Sequence, residues 1–298
     1  MSQNIGHFHS PKTPKPQNPK TPKPQNPKTP KEIGYVETVH HKIIINYFYK
    51  MSEGEKKLLI TGVGGYIGLW IAKKAIEEHK YEVYGSVTSK SNQAKLDKIK
   101  AAIGDETFAK LNIVELNLMN EDTIDKAVEG MNLILHVASP FPSQTPRDPK
   151  EVIDPAVNGT KYVLKAASKH KVTRVVVTSS IAAIMDHTRG SGKEYVVTEE
   201  NWPPNPTELT PYYQSKYYAE KAADEFEVNQ SSDGHKVEVI KVNPGVVMGK
   251  LLSKSDGTSE KVFRDILTGA MMSIPQVYFP CVDVQDVADA HFLALEKG

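Results

Sequence analysis

The chain has little of several things, and each shortage excludes something. One cysteine, Cys281, stands among 298 residues. An internal disulfide framework is therefore excluded, and a reducing compartment suits the chain. Ten histidines are present, but no Cys/His group has ligand spacing. The adjacent pair His40-His41 sits in a poor context for a metal. No apolar run nears the ~20 residues of a membrane span. The nearest candidate, Ile43 to Tyr49, is short and flanked by charge. The N-terminus lacks the apolar core of a secretory signal. Net charge is +1, so no global field favours nucleic acid or a membrane surface. The expectation is a cytoplasmic protein whose partner is a small molecule, neither nucleic acid nor membrane.

What is present divides in two. Residues 1–50 are dominated by lysine and proline. Pro11 to Asn18 reads PKTPKPQN, Pro19 to Asn26 repeats it, and Pro27 starts a third copy. Nothing there can form a core, so a disordered tail sampling polyproline II is expected. Its Pro-x-x-Pro spacing and Thr-Pro pairs suit a docking or phosphorylation tail. An inert tail is the preferred reading, since Met51-Ser52-Glu53-Gly54 would make a natural start.

Residues 51–298 alternate in pattern. Short runs rich in Val, Ile and Leu, with little polar alternation, lie at Lys57 to Thr61, Glu82 to Val87, Asn112 to Leu116, Leu133 to Val137, Arg174 to Thr178 and Lys236 to Val242. Strands buried on both faces read this way. Helical patterns intervene at Gly68 to His79, Ala94 to Ala102, Glu121 to Glu129, Pro155 to Lys169 and Pro211 to Asn229. Such alternation gives an α/β fold with a doubly wound parallel sheet. Ligands bind such sheets at the carboxyl ends of the strands. The informative residues should therefore follow strands.

After the first run comes Thr61-Gly62-Val63-Gly64-Gly65-Tyr66-Ile67-Gly68. A strand, a glycine turn and a helix N-terminus in succession form a site for a pyrophosphate, through free N–H groups and the helix dipole. Gly62 can adopt turn dihedrals closed to other residues. Gly65 lets the backbone approach the phosphates, and Gly68 lets the helix pack on the strand. After the second run comes Thr88-Ser89-Lys90, with no carboxylate to bond ribose hydroxyls. An acid there would repel the extra phosphate of NADP, whereas Thr88 and Lys90 could bind it. Lys90 reads equally well as a solvated loop lysine. Asn117 and Leu118 follow the third run, where an adenine ring would lie. Val137 and Ala138 follow the fourth and leave room for a cofactor. Ser179 and Ser180 follow the fifth. Asn243-Pro244-Gly245 follows the sixth, where backbone N–H groups could fold around a nicotinamide amide.

The long helix opens at Thr210-Pro211, a cap residue and a favoured first-turn proline. Tyr212 and Lys216 are four apart, hence on one face. A phenol is a poor acid at neutral pH, and a nearby ammonium lowers its pKa. Ser180 could bind the same carbonyl oxygen, with Ser179 the alternative if the register slips by one. Tyr217 with Lys221 is a rival pair on the same helix.

Together these residues resemble the extended short-chain dehydrogenase/reductase superfamily, within it the dihydroflavonol reductase, cinnamoyl-CoA reductase and aldehyde/ketone reductase group. The resemblance runs from about Lys56 to the end. It is carried by the glycine turn, His136-Val137-Ala138-Ser139-Pro140, Asn158-Gly159-Thr160, Thr178-Ser179-Ser180, Tyr212-x-x-Ser215-Lys216, Asn243-Pro244-Gly245 and Val282-Asp283-Val284-x-Asp286-Val287-Ala288. It implies a Rossmann domain with substrate-pocket insertions at about 185–210 and 246–298, and a reductase preferring NADP(H) to NAD(H). Tyr212 would be the acid, supported by Lys216, with Ser180 on the substrate oxygen. The cofactor contacts would be Gly62, Gly65, Tyr66, Ile67, Gly68, Thr88, Lys90, Asn117, Leu118, Val137, Ala138, Tyr212, Lys216 and Pro244.

Three departures stand out. The group has arginine where this chain has Thr88, and aspartate where it has Asn117. It also continues for several elements beyond the position of Gly298. Trp202, Met271, Met272 and Tyr278 suggest an apolar substrate pocket. The same triad serves epimerases, dehydratases and hydroxysteroid dehydrogenases, and a nucleotide-sensing scaffold is the third reading.

Overall fold

The computed structural model describes residues 55–140, 148–186, 196–231, 234–253, 264–270 and 280–297. The expected N-terminal tail, Met271, Met272 and Tyr278 lie outside the described residues.

All six apolar runs become strands: β1 (Lys56–Ile60), β2 (Tyr81–Val87), β3 (Asn112–Glu115), β4 (Leu133–His136), β5 (Arg174–Thr178) and β6 (Glu238–Val242). They form one sheet in the order β3-β2-β1-β4-β5-β6, and every pairing is parallel. Helices connect the parallel strands and bury their apolar stripes on the sheet. These are α1 (Tyr66–Glu77), α2 (Gln93–Ile103), α3 (Asp105–Ala109), α4 (Glu121–Val128), α5 (Lys150–Lys169), α6 (Ile181–Ile184), α7 (Pro211–Val228) and α8 (Val284–Lys297).

The pleat divides each strand between two cores. Leu58 and Ile60 of β1 join α1 and α8 through Trp70, Ile71, Phe292 and Leu295. Leu59, between them, joins α4 and α5 through Ile124, Val163 and Leu164. All four residues of β4 are buried. Burial on both faces is why these runs carry no polar alternation.

Most element ends shift by one or two residues from the sequence reading, helix α1 running Tyr66–Glu77 rather than from Gly68 to His79, and three differences matter more. Helix α5 begins at Lys150, not at Pro155. The Asp148 side chain accepts from the Lys150 N–H at 2.9 Å, and its carbonyl accepts from the Glu151 N–H at 3.0 Å. That cap starts the helix five residues early, and Pro155 costs it only one internal hydrogen bond. Strand β6 begins at Glu238 rather than Lys236. A second, two-stranded parallel sheet pairs β7 (Val246–Met248) with β8 (Cys281–Asp283).

Helix α8 closes the β1–α1 side. The Asp283 carboxylate caps it, accepting from the Gln285 N–H at 2.7 Å. Lys74 of α1 pairs with Asp289 at 2.5 Å, His79 stacks on Phe292 at 3.9 Å between ring centres, and Arg174 donates to the Ala294 and Leu295 carbonyls.

Candidate active site

Strand order reverses between β1 and β4, which opens a crevice at their carboxyl ends. Thr61 forms its floor. The Thr61 hydroxyl accepts from the Val137 and Ala138 N–H groups at 3.0 and 2.9 Å and lies 3.0 Å from His136 Nδ1. With both lone pairs taken, that hydroxyl donates to Nδ1, so His136 carries its proton on Nε2. Burial, aided by the Lys216 ammonium, pushes the His136 pKa down to about 4, so the ring is neutral.

The glycine turn is tight on one side and open on the other. Gly62 has φ +70°, and a Cβ on it would meet Ala138 Cβ at 3.0 Å. A Cβ on Gly68 would strike the Gly62 carbonyl oxygen, so α1 rests directly on the turn. Gly65 is exposed, and a Cβ there would touch only the Gly62 carbonyl. Helix α1 has no capping side chain and no acid in its first turn. Its positive end, at Tyr66 and Ile67, is left for an anion.

The adenine side is less simple. Thr88 and Lys90 are exposed, and the Lys90 N–H donates to the Glu115 carboxylate at 3.0 Å. Asn117 is engaged in its own loop, its side-chain oxygen accepting from the Met119 N–H at 3.0 Å. Leu118 packs on α5, where a Cβ on Gly159 would meet its side chain at 3.1 Å. Sequence reasoning missed Lys95 on α2. A Cβ on Gly64 would meet Lys95 Cε at 2.7 Å and Nζ at 3.7 Å, so this ammonium lies beside the glycine turn. A lysine on a polar helix face gives no such signal in sequence.

On the other side, α7 brings its predicted pair to the end of β5. Thr210 occupies the cap position without a side-chain cap bond, and Pro211 takes the first turn. The Tyr212 phenol hydrogen-bonds the Ser180 hydroxyl. Ser180 Oγ also accepts from the Ala182 N–H at 3.1 Å, capping α6. Ser179 turns away to the buried Glu220 carboxylate. The rival pair is occupied elsewhere: Lys221 Nζ lies 3.2 Å from the Trp202 ring centre, and Tyr217 meets Trp202 edge-on. That cluster lies on a different side of α7 from Tyr212 and Lys216, and Trp202 belongs to it.

Lys216 is 9% exposed, and its ammonium makes no hydrogen bond to any described residue. Burial pushes its pKa down to about 8, with the Glu220 carboxylate pulling the other way. The phenol differs from the sequence expectation. Burial pushes the Tyr212 pKa up, against the Ser180 hydrogen bond, and the Lys216 ammonium does not offset it. The Asn243-Pro244-Gly245 break is tied to its neighbours by two backbone hydrogen bonds. Val246 spends its N–H on the Pro280 carbonyl at 2.8 Å, while the Pro244 carbonyl accepts from the Ile181 N–H at 3.0 Å. Among the described residues no group of three His, Cys, Asp or Glu could hold a metal ion. No described helix is long and apolar enough to cross a membrane.

The crevice suits a dinucleotide on its own terms: an open, exposed glycine turn, an uncapped helix end, and a buried ammonium with no described hydrogen-bond partner. The model of the NAD dependent epimerase/dehydratase family matches residues 58–298. The chain belongs to that family. Within it, the chain is 32% identical over 244 residues to cinnamoyl-CoA reductase CAD2 of Medicago truncatula, covering 80% of this chain and 72% of the relative. It is 31% identical over 259 residues to the NADPH-dependent methylglyoxal reductase GRE2 of Saccharomyces cerevisiae, covering 80% and 74%. The crystal structure of yeast methylglyoxal/isovaleraldehyde reductase Gre2 complexed with NADPH superposes with TM-score 0.69 at 31% identity, over 81% of this chain and 74% of that one. Vestitone reductase from alfalfa (Medicago sativa) superposes at 0.66 with 26% identity, over 82% and 74%.

Proposed function

We propose that this protein is an NADPH-dependent reductase of aldehydes or ketones, with Tyr212 the general acid. The observation that carries the reading is the Tyr212–Ser180 hydrogen bond, with buried Lys216 one helical turn away. When bound, NADPH supplies the hydride. Ser180 and Tyr212 hold the substrate oxygen between two hydroxyls, and the phenolic proton passes to that oxygen as it gains charge. Burial keeps the phenol protonated at neutral pH, the form that reduction needs. A raised pKa is no obstacle, because an alkoxide is a far stronger base than a phenolate. Lys216 places its charge beside the phenolate left behind and offers its N–H groups to ribose hydroxyls.

Preference for the 2′-phosphate is supported by Lys90 and Lys95 in place of the missing arginine, with Glu115 occupied by the Lys90 N–H. The NADPH-dependent relatives favour the same cofactor. The exposed single cysteine suits a cytoplasmic setting. NADPH oxidation should be followed against aldehydes and ketones with wild type and Tyr212→Phe. Turnover should fall by about 10²–10⁴-fold in the variant with NADPH affinity kept. Unchanged turnover in Tyr212→Phe refutes the assigned acid.

A further inference from the structure

Behind the Ser180–Tyr212–Lys216 group lies a second, buried polar layer that the proposed reaction does not use directly. Glu220 is 3% exposed. It continues the face of α7 that carries Tyr212 and Lys216, each four residues apart. Its carboxylate accepts from two donors on two other elements. One is the Ser179 hydroxyl at the end of β5. The other is the Asn243 side-chain amide after β6, at 2.7 Å. The same Asn243 amide donates to the Ser180 backbone carbonyl at 3.1 Å. Burying a carboxylate costs several kcal/mol unless it is well bonded, and an apolar residue would fill this space more cheaply. The layer holds in register the three segments that supply the reacting hydroxyls and the ammonium.

We propose that Glu220, together with Asn243 and Ser179, is a positioning residue: it sets Ser180 against Tyr212 and keeps Lys216 charged. The inference rests on the reductase reading for its kinetic consequence but not for its electrostatic one. Among the described residues the groups facing this layer are few. Lys216 faces Glu220 of its own helix and His136 at the end of β4. Glu220 faces Asp224 on α7 and Lys241 on β6. Lys241 is itself bound to Asp224 at 2.8 Å and Glu227 at 2.9 Å, so it offers Glu220 little free charge. His136 is neutral at working pH. Glu220 is therefore the group that sustains the buried ammonium, and its own carboxyl is held up by burial against its two hydrogen bonds.

Glu220→Gln keeps the size and, because both donors meet the same carboxylate oxygen, one amide oxygen can accept from both while the charge is removed. The Lys216 pKa can be read without turnover from its isotope-labelled lysine Cε resonance in the full chain, assigned by its loss in Lys216→Arg. In Glu220→Gln the midpoint should fall by about one pH unit. In the aldehyde assay the alkaline limb of kcat should move down by the same amount, with kcat about tenfold lower and KM for NADPH within about twofold. Ser179→Ala, which withdraws one donor and raises the Glu220 pKa, should move both readouts the same way by less. It also serves if Glu220→Gln does not fold. A Lys216 midpoint unchanged in whichever of these variants folds overturns the proposal. Absence of turnover in wild type, with the midpoint shift present, overturns the reductase reading and leaves the electrostatic role of Glu220 supported.

Discussion

Lowering the pH from neutrality to about 4 should unfold this protein through two buried histidines. His291 on α8 is fully buried. Its Nδ1 donates to the Val287 carbonyl at 2.7 Å, and its Nε2 accepts from the Thr178 hydroxyl at 2.7 Å. Burial pushes its pKa from 6.5 down to about 4, the backbone hydrogen bond opposing, and His136 behaves alike. A depressed histidine pKa means the unfolded chain binds the proton first, so stability is full above about 6.5 and is lost as pH falls toward 4. Each fall of about 2.5 in pKa, at about 1.4 kcal/mol apiece, is worth roughly 3 kcal/mol. Two together approach the whole stability of an ordinary domain, about 5–15 kcal/mol. Glu220 works the other way, because its raised pKa favours the folded state in acid. Glu77 and Asp125 have lowered values and act below the histidine window. Urea midpoints measured across this range for wild type and His291→Asn give the test. The slope of stability on pH should fall by about half in the variant. Equal slopes would refute the assignment of acid lability to these rings.

Lys216→Met should abolish reduction yet raise apoprotein stability at neutral pH by about 2–3 kcal/mol, since it removes a buried ammonium whose pKa is pushed to about 8. Thermal or urea unfolding checks it, and the gain should shrink as pH rises from about 8 to 10.5. Gly68→Val should force α1 off the turn, costing about 1–3 kcal/mol and abolishing NADPH binding in a fluorescence titration. Leu59→Ala should cost about 2–5 kcal/mol in urea unfolding while leaving the Lys216 midpoint in place, because Leu59 faces α4 and α5, away from the crevice.

The sheet was legible because its strands are buried on both faces and carry almost nothing but branched apolar residues. Their ends were readable to within one or two residues, since ladders stop where the last carbonyl finds a partner. Helix α5 was not legible at its start, because the cap that begins it, Asp148, precedes a proline that reads as a beginning. The β7–β8 pair was hidden because three-residue strands have no period to detect. At the site, the Tyr212/Lys216 spacing was visible but not unique. Tyr217/Lys221 has the same spacing, and only the rotation of α7 separates them. Lys95 and Glu220 were invisible for one reason: a charged residue on a helix reads as solvated, and burial is a property of what packs on it. The phenol went the other way from expectation because sequence shows which charge is near, and not how much water has been removed.

The grip of α8 on α1 has a consequence for how the protein is made. The glycine turn belongs to the first third of the chain, but the helix it rests on is completed by Phe292, Leu295, Asp289 and Glu296 near the other end. On the ribosome, the nucleotide cradle is therefore synthesised long before its support emerges. A chain without Val284–Lys297 would leave the apolar side of Trp70 and Ile71 uncovered, so the cradle gains its support only when that helix docks.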